Sequence, residues 1–96
     1  MIMIKALVCC RAGMGSSLLL KIKVDQVIKE NHFDILTEHG NLDSLIGYKG
    51  DLIITMEDLT EELSNKGYYA LGIRNIVDKE EIKHKLVAYL TWLKQQ

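Results

Sequence analysis

The 96-residue sequence predicts an α/β fold: a four-stranded parallel sheet of order 2-1-3-4 with helices on both faces, a Rossmann-like three-layer sandwich. Three observations carry this expectation. Strand-like apolar runs alternate with amphipathic segments from end to end, the pattern of right-handed βαβ crossovers. The first run, residues 2–9, is apolar almost throughout, as in a strand covered on both faces. It leads straight into a stretch with two glycines and then a helix, so the first βα turn falls at the sheet's C-terminal edge.

Each element has its own signal. Residues 2–9 form the first strand, interrupted only by Lys5. Over residues 16–31 the apolar positions 20, 24, 27 and 28 make a helical stripe, with Leu18 and Ile22 expected to widen it. Lys21, Lys23, Asp25, Lys29 and Glu30 occupy the other face. Lys21 and Lys23 read as a solvated face rather than as a docking surface. Residues 33–38 suit a second strand. A glycine-containing segment follows over 40–50, with room for a helical turn at 42–46.

Asp51-Leu52-Ile53-Ile54-Thr55 is a buried-strand pattern, residues 56–64 a short helix and 68–73 a fourth strand. Asp78 with Glu81 three residues later resembles a capping box. Ile82, Leu86, Tyr89, Leu90 and Leu93 then mark a long last helix. The chain has no proline, so breaks fall at Gly, Asn and Asp. Without a repeat or linker, residues 1–96 read as a single domain.

Composition narrows the function. Hydrophobic residues make up 48% and charged residues 26%, ordinary for a soluble globular protein. A net charge of −1, with twelve scattered Lys and Arg, provides no basic field for nucleic acid. No apolar run approaches the ~18 residues of a membrane span, so no direct membrane insertion is expected. The N-terminus reads as a strand rather than a signal peptide. Cys9 and Cys10 are adjacent, a poor geometry for a structural disulfide, and a reducing cytoplasm is the expected setting.

His32, His39 and His84 are too scattered for metal-ligand spacing and read as surface residues; no metal or cofactor is expected. Tyr68, Tyr69, Tyr89 and Trp92 read as core or half-buried, with no pattern for base stacking.

The chemical content is concentrated in Cys10-Arg11-Ala12-Gly13-Met14-Gly15-Ser16-Ser17. Cys10 is the candidate catalytic nucleophile, and residues 11–17 the candidate phosphate-binding loop. Gly13 and Gly15 allow positive φ and convergent N–H groups, and Ser16 is the natural N-cap. The first N–H groups of a helix are unsatisfied and its dipole is positive there, so an anion needs no lysine. The same field favours thiolate at Cys10. Cys9 alternates into the packing instead. Met14, apolar between two glycines, suits contact with a partner protein.

Known loop types fit less well. A P-loop would place Lys after Gly15, where Ser16 stands, and the dinucleotide fingerprint would need glycine at Leu18. A cysteine phosphatase of the tyrosine-phosphatase type would carry arginine six positions after its nucleophile. From Cys10 that position is Ser16, and from Cys9 it is Gly15. Backbone donors without that clamp suit a carrier that keeps its phosphoryl group until an acceptor arrives.

Cys-x-x-Gly-x-Gly-Ser-Ser at 10–17, continuing through Leu18 to Asp25, resembles the IIB components of the bacterial phosphoenolpyruvate-dependent sugar phosphotransferase system. The likeness is strongest to the ascorbate-type branch, with galactitol-type proteins as relatives. The Asp51–Ile54 strand and Leu71-Gly72-Ile73-Arg74-Asn75 also fit, so the resemblance spans most of the chain. Many ascorbate-type loops have Gly and then Asn after the cysteine; here Arg11 and Ala12 occupy those positions.

The resemblance implies that Cys10 accepts a phosphoryl group from a phosphohistidine on a IIA protein. Cys10 then passes it to a sugar bound in the membrane IIC transporter. Gly13, Met14, Gly15, Ser16 and Ser17 would supply donors, and Arg11 a nearby charge. Two alternatives stay open from the residues alone: a small cysteine phosphatase borrowing Arg11 or Arg74, and a non-catalytic anion-binding regulatory module. Arg74 and Asn75 either meet a partner or cap their loop.

Overall fold

The computed structural model describes residues 4–9, 13–40, 48 and 50–95, with 13–17 as backbone only. Along the chain it contains β1 (Ile4–Val8), α1 (Gly13–Asn31), β2 (Ile35–His39), β3 (Leu52–Met56), α2 (Glu57–Asn65), β4 (Ala70–Ile73) and α3 (Lys79–Lys94). The four strands form one parallel sheet in the order β2-β1-β3-β4, as the alternating pattern predicts. Ile4 pairs with Ile35, Val8 with Ile54, and Met56 with Ile73. The helical turn expected at 42–46 lies outside the described residues.

The period of two along the strands divides the core between the two faces of the sheet. Ile4, Ala6, Val8, Ile35, Leu52, Ile54, Leu71 and Ile73 face α1 and α3, packing on Leu20, Val24, Val27, Ile82, Leu86 and Tyr89. On the other face Leu7, Cys9 and Ile53 pack under Leu59 and Leu63 of α2. Cys9 is fully buried there, in the packing position that alternation assigns it. The Tyr48 ring packs beside this second cluster, and burial, with Glu38 and Asp51 nearby, pushes its phenol up to about 12.

Two expectations about α1 are corrected. Leu18 and Ile22 do not widen the buried stripe; they are 50% and 46% exposed. Each lies two residues from Leu20, a rotation of about 200°, so burying Leu20 turns both outward. The helix also begins at Gly13 rather than Ser16. Gly13 and Gly15 therefore carry helical backbone instead of the expected positive φ, and Ser16 sits inside the first turns rather than at the N-cap. Glycine is permissive enough to enter a helix when the chain's direction requires it.

At its far end α1 closes on His32, which takes the left-handed conformation at φ 55°. Its N–H donates to the Lys29 carbonyl at 3.4 Å, and that of Phe33 to the Ile28 carbonyl at 3.1 Å. This pair of bonds is a Schellman closure, usually built on glycine. Asp25 fixes α1 to the sheet edge, accepting from the Thr37 hydroxyl of β2 and from Lys21 Nζ at 2.7 Å. Lys21 is thus paired on its own helix face rather than simply solvated. Lys79 of α3 reaches Glu30 of α1 at 2.7 Å.

The aromatic residues gather at the opposite, N-terminal edge of the sheet. Tyr69 lies 4.8 Å from Tyr89 and 4.7 Å from Trp92 between ring centroids. Tyr89 is buried, whereas Tyr69 and Trp92 keep an exposed flank rather than lying in the core.

Candidate functional site

The C-terminal ends of the four strands form the edge where ligands bind in open parallel sheets. Backbone bonds hold β1 in place up to its end. The Val8 carbonyl accepts from Gly40 N–H at 3.1 Å, and Cys9 N–H donates to the Ile54 carbonyl at 3.1 Å. The following residues, Cys10, Arg11 and Ala12, lie outside the described residues. The chain continues at Gly13 as the first residue of α1. Gly13, Met14, Gly15, Ser16 and Ser17 therefore occupy the first turns of a helix that starts four residues after Cys9.

The start of that helix differs electrostatically from the other two. Helix α2 opens with Glu57 and Asp58, and α3 with Glu80 and Glu81, so carboxylates offset both N-termini. No acidic residue occupies the first turn of α1. Its leading N–H groups lack intrahelical acceptors and carry the dipole's positive end. The N–H groups of residues 13–17 belong to a helix start rather than to the positive-φ nest that two glycines suggest.

Next to β3 along the same edge, the exits of β3 and β4 are tied together by charge. Arg74, the first residue after β4, donates from Nε to Glu57 Oε2 at 2.9 Å. This contact holds the Glu57 carboxyl below its ordinary range, chiefly through the hydrogen bond and then the arginine charge. Glu57 raises the Arg74 guanidinium in turn.

Asp78 caps α3 as predicted, accepting from the N–H groups of Glu80 and Glu81 at 3.1 and 3.3 Å. The reciprocal half of the box is diverted. Glu81 accepts instead from the N–H groups of Arg74, at 2.7 Å, and Asn75, at 2.9 Å. Arg74, Asn75, Asp78, Glu81 and Lys85 line a surface groove of about 500 Å³.

Glu57, Glu81 and Lys85 are residues of this edge that the sequence does not single out as site residues. An acidic residue at the first position of a helix directly after a strand was the available signal for Glu57. Among the described residues no group of three His, Cys, Asp or Glu could hold a metal ion. No helix among them is long and apolar enough to cross a membrane.

A parallel sheet of order 2-1-3-4, with a helix start free of acidic residues four positions after Cys9 at the first strand's exit, defines a class of small α/β domains. Comparison with known proteins narrows the class. Residues 5–88 match the family model described as "PTS system, Lactose/Cellobiose specific IIB subunit". An ascorbate-specific PTS system EIIB component of Mycoplasma pneumoniae is 35% identical over 80 residues, covering 80% of this chain and 84% of that protein. Proteins of the same description from Salmonella choleraesuis and Escherichia coli O157:H7 are 31% and 30% identical, each over 88% of this chain and 86% of the relative.

The lactose-specific IIB domain of Streptococcus pneumoniae superposes with a TM-score of 0.61 at 19% identity, covering 92% of this chain and 95% of that one, a likeness of fold. The chain belongs to the PTS IIB family. IIB components are phosphotransferase components of sugar uptake and work with IIA and IIC partners.

Proposed function

We propose that this protein is the phosphocysteine carrier of its phosphotransferase system, with Cys10 as the residue that bears the phosphoryl group. The observation that supports it best is the bare N-terminus of α1 four residues beyond Cys9, in a chain of the IIB family. Cys10 thiolate attacks the phosphorus of a phosphohistidine on the IIA protein. The S–P bond forms as the N–P bond breaks, and the electron pair returns to the imidazole nitrogen, which takes up a proton. In the second step a sugar hydroxyl oxygen attacks the same phosphorus. The S–P bond breaks, the thiolate is restored and the hydroxyl proton leaves to solvent.

Charge in such transfers is spread over three equatorial oxygens, so positioned donors do most of the stabilising. Residues 13–17 provide them from the first turns of α1, with Arg11 and Ala12 completing the loop. The recipient is a sugar bound by a membrane IIC transporter, and the protein acts as a cytoplasmic relay in one domain. The names of the relatives that share 30–35% identity support an ascorbate-like substrate.

Transfer of labelled phosphate from phosphoenolpyruvate to ascorbate, with the general phosphotransferase proteins and matching IIA and IIC components, tests the whole reading. Wild type relays, Cys9→Ala relays normally and Cys10→Ser does not. Relay by Cys10→Ser would refute the carrier assignment.

A further inference from the structure

Three large aliphatic side chains stand on the outward face of α1: Leu18, Leu19 and Ile22, at 50%, 37% and 46% exposure. Leu18 and Leu19 precede Ile22 by four and three residues, the spacings that bring helical side chains onto one face. The opposite face, with Leu20, Val24 and Val27, is buried on the sheet. Exposed aliphatic residues are ordinary when scattered, but a contiguous group marks a contact surface. This group is confined to the first half of the helix. Farther along the same face come Gln26, Lys29 and Glu30, all exposed. The outward residues of α2 are polar instead, with Glu57, Glu61, Glu62 and Ser64 exposed.

Size and charge decide what covers this surface. Three partly exposed side chains are far fewer than the roughly 20–30 residues a side of a standard stable interface. They suit a partner that docks and leaves rather than a permanent second copy of the chain. Asp25 is tied to Lys21, and Glu30 to Lys79. Lys23, four residues after Leu19, and Lys29 have no carboxylate partner among the described residues and leave the rim positive. The first turn of α1 has no acidic residue, and its N–H groups carry the positive end of the helix dipole. The complementary partner is apolar at its centre and negative toward the helix start. IIB components work with IIA and IIC partners. Of the two, the IIA donor brings a phosphoryl anion, whereas IIC receives one and brings none of its own.

We propose that the face of α1 formed by Leu18, Leu19 and Ile22 is the docking surface for the phosphohistidine-bearing IIA protein. Lys23, which reads as solvated from the sequence alone, stands at its rim. The surface lies wholly within residues 18–23, and the inference rests on the carrier reading only for the identity of the partner. It adds no covalent step to those already given. A contact made equally before and during transfer lowers the donor concentration needed and leaves the rate at saturation unchanged.

The test titrates the matching unphosphorylated IIA protein into the full chain by calorimetry. Wild type is compared with the double variant Leu18→Ser/Ile22→Ser, with Lys23→Glu, and with Val87→Ser, which removes a comparably exposed apolar residue from α3. The double variant is expected to bind at least about tenfold more weakly, and Val87→Ser within about twofold of wild type. Lys23→Glu is expected to weaken binding several-fold at low salt, and it keeps the test decisive if the double variant folds poorly. In single-turnover transfer followed by intact mass, the half-saturating concentration of phosphorylated IIA should rise in the double variant by the same factor as the dissociation constant. Its rate at saturation should stay within about twofold of wild type.

Unchanged IIA affinity in the double variant and in Lys23→Glu overturns the inference, as does an equal loss in Val87→Ser. Intact IIA binding with impaired delivery to the IIC-bound sugar assigns the face to IIC and overturns it too. So does a concentration-dependent dimer in sedimentation that the double variant abolishes. Calorimetric docking needs no phosphoryl transfer, so the two readings fail separately. Docking as expected with no Cys10 adduct in wild type refutes the carrier reading alone. A Cys10 adduct with unchanged affinity in the variants refutes this inference alone.

Discussion

Gly72 lies so close under Thr60 that an added β-carbon would stand 2.0 Å from the threonine Oγ1 and 2.9 Å from the Glu57 Cα. The absence of a side chain on this β4 residue lets the first turn of α2 rest on the strand. That close approach brings Glu57 beside Arg74, one residue beyond the strand's end. The Thr60 hydroxyl has no hydrogen-bond partner among the described residues, consistent with packing rather than polarity deciding this contact.

Gly72→Ala is accordingly expected to destabilise the fold by about 1–3 kcal/mol, since the neighbour that must yield includes helix backbone. Urea unfolding measures it. The Glu57 and Arg74 resonances should shift in the same variant, because the α2 start moves with the added methyl. An unchanged midpoint would mean that α2 does not rest on Gly72.

Removing side chains from the two faces of α1 should give opposite results. Leu20 is fully buried, so Leu20→Ala is expected to cost about 2–5 kcal/mol. Leu18→Ala, on the exposed side, should stay within about 0.5 kcal/mol. Comparable losses in both variants would contradict the orientation of the helix.

His32 adopts φ 55° at the end of α1, where a β-carbon is disfavoured. Replacement with glycine should stabilise the protein by about 0.5 kcal/mol, the relief of the left-handed conformation outweighing glycine's extra freedom in the unfolded chain. A rise in the thermal midpoint is the expected readout; a fall would show that the His32 side chain contributes contacts of its own.

The Arg74 pair sets a pH dependence with a definite sign. Glu57 titrates below the ordinary carboxylate range when folded, because Arg74 donates to it. Its contribution is therefore present above the unfolded pKa and is lost as pH falls through the folded one. In an NMR titration the Glu57 carboxyl midpoint should move upward in Arg74→Gln. A midpoint unaffected by that substitution would place the guanidinium elsewhere in solution.

Much of this architecture is legible in local sequence. Period-two alternation put Cys9 in the packing, and the buried-strand pattern at Asp51–Thr55 located β3. Asp78 identified the start of α3 because its partners are only two and three residues away. What escaped depends on contacts the local pattern does not encode. Glu81 bonds backward across the turn to Arg74 and Asn75, seven and six residues upstream, instead of completing its own capping box. Glu57 matters because two parallel strands place it beside Arg74, 17 residues away. The sequence places the N-terminus of α1 late because glycine is a weak helix former, and Gly13 begins the helix despite that preference. Leu18 and Ile22 look like core positions by hydrophobicity alone, whereas the angle set by Leu20 and Val24 turns them outward.

Peptide-resolved mass spectrometry after incubation with phosphoenolpyruvate, the general phosphotransferase proteins and the matching IIA protein tests the central claim most directly. One phosphoryl adduct on the peptide carrying Cys10, absent in Cys10→Ser and retained in Cys9→Ala, is the predicted result. No adduct in the presence of a demonstrably phosphorylated matching IIA, or an adduct that survives Cys10→Ser, would contradict it.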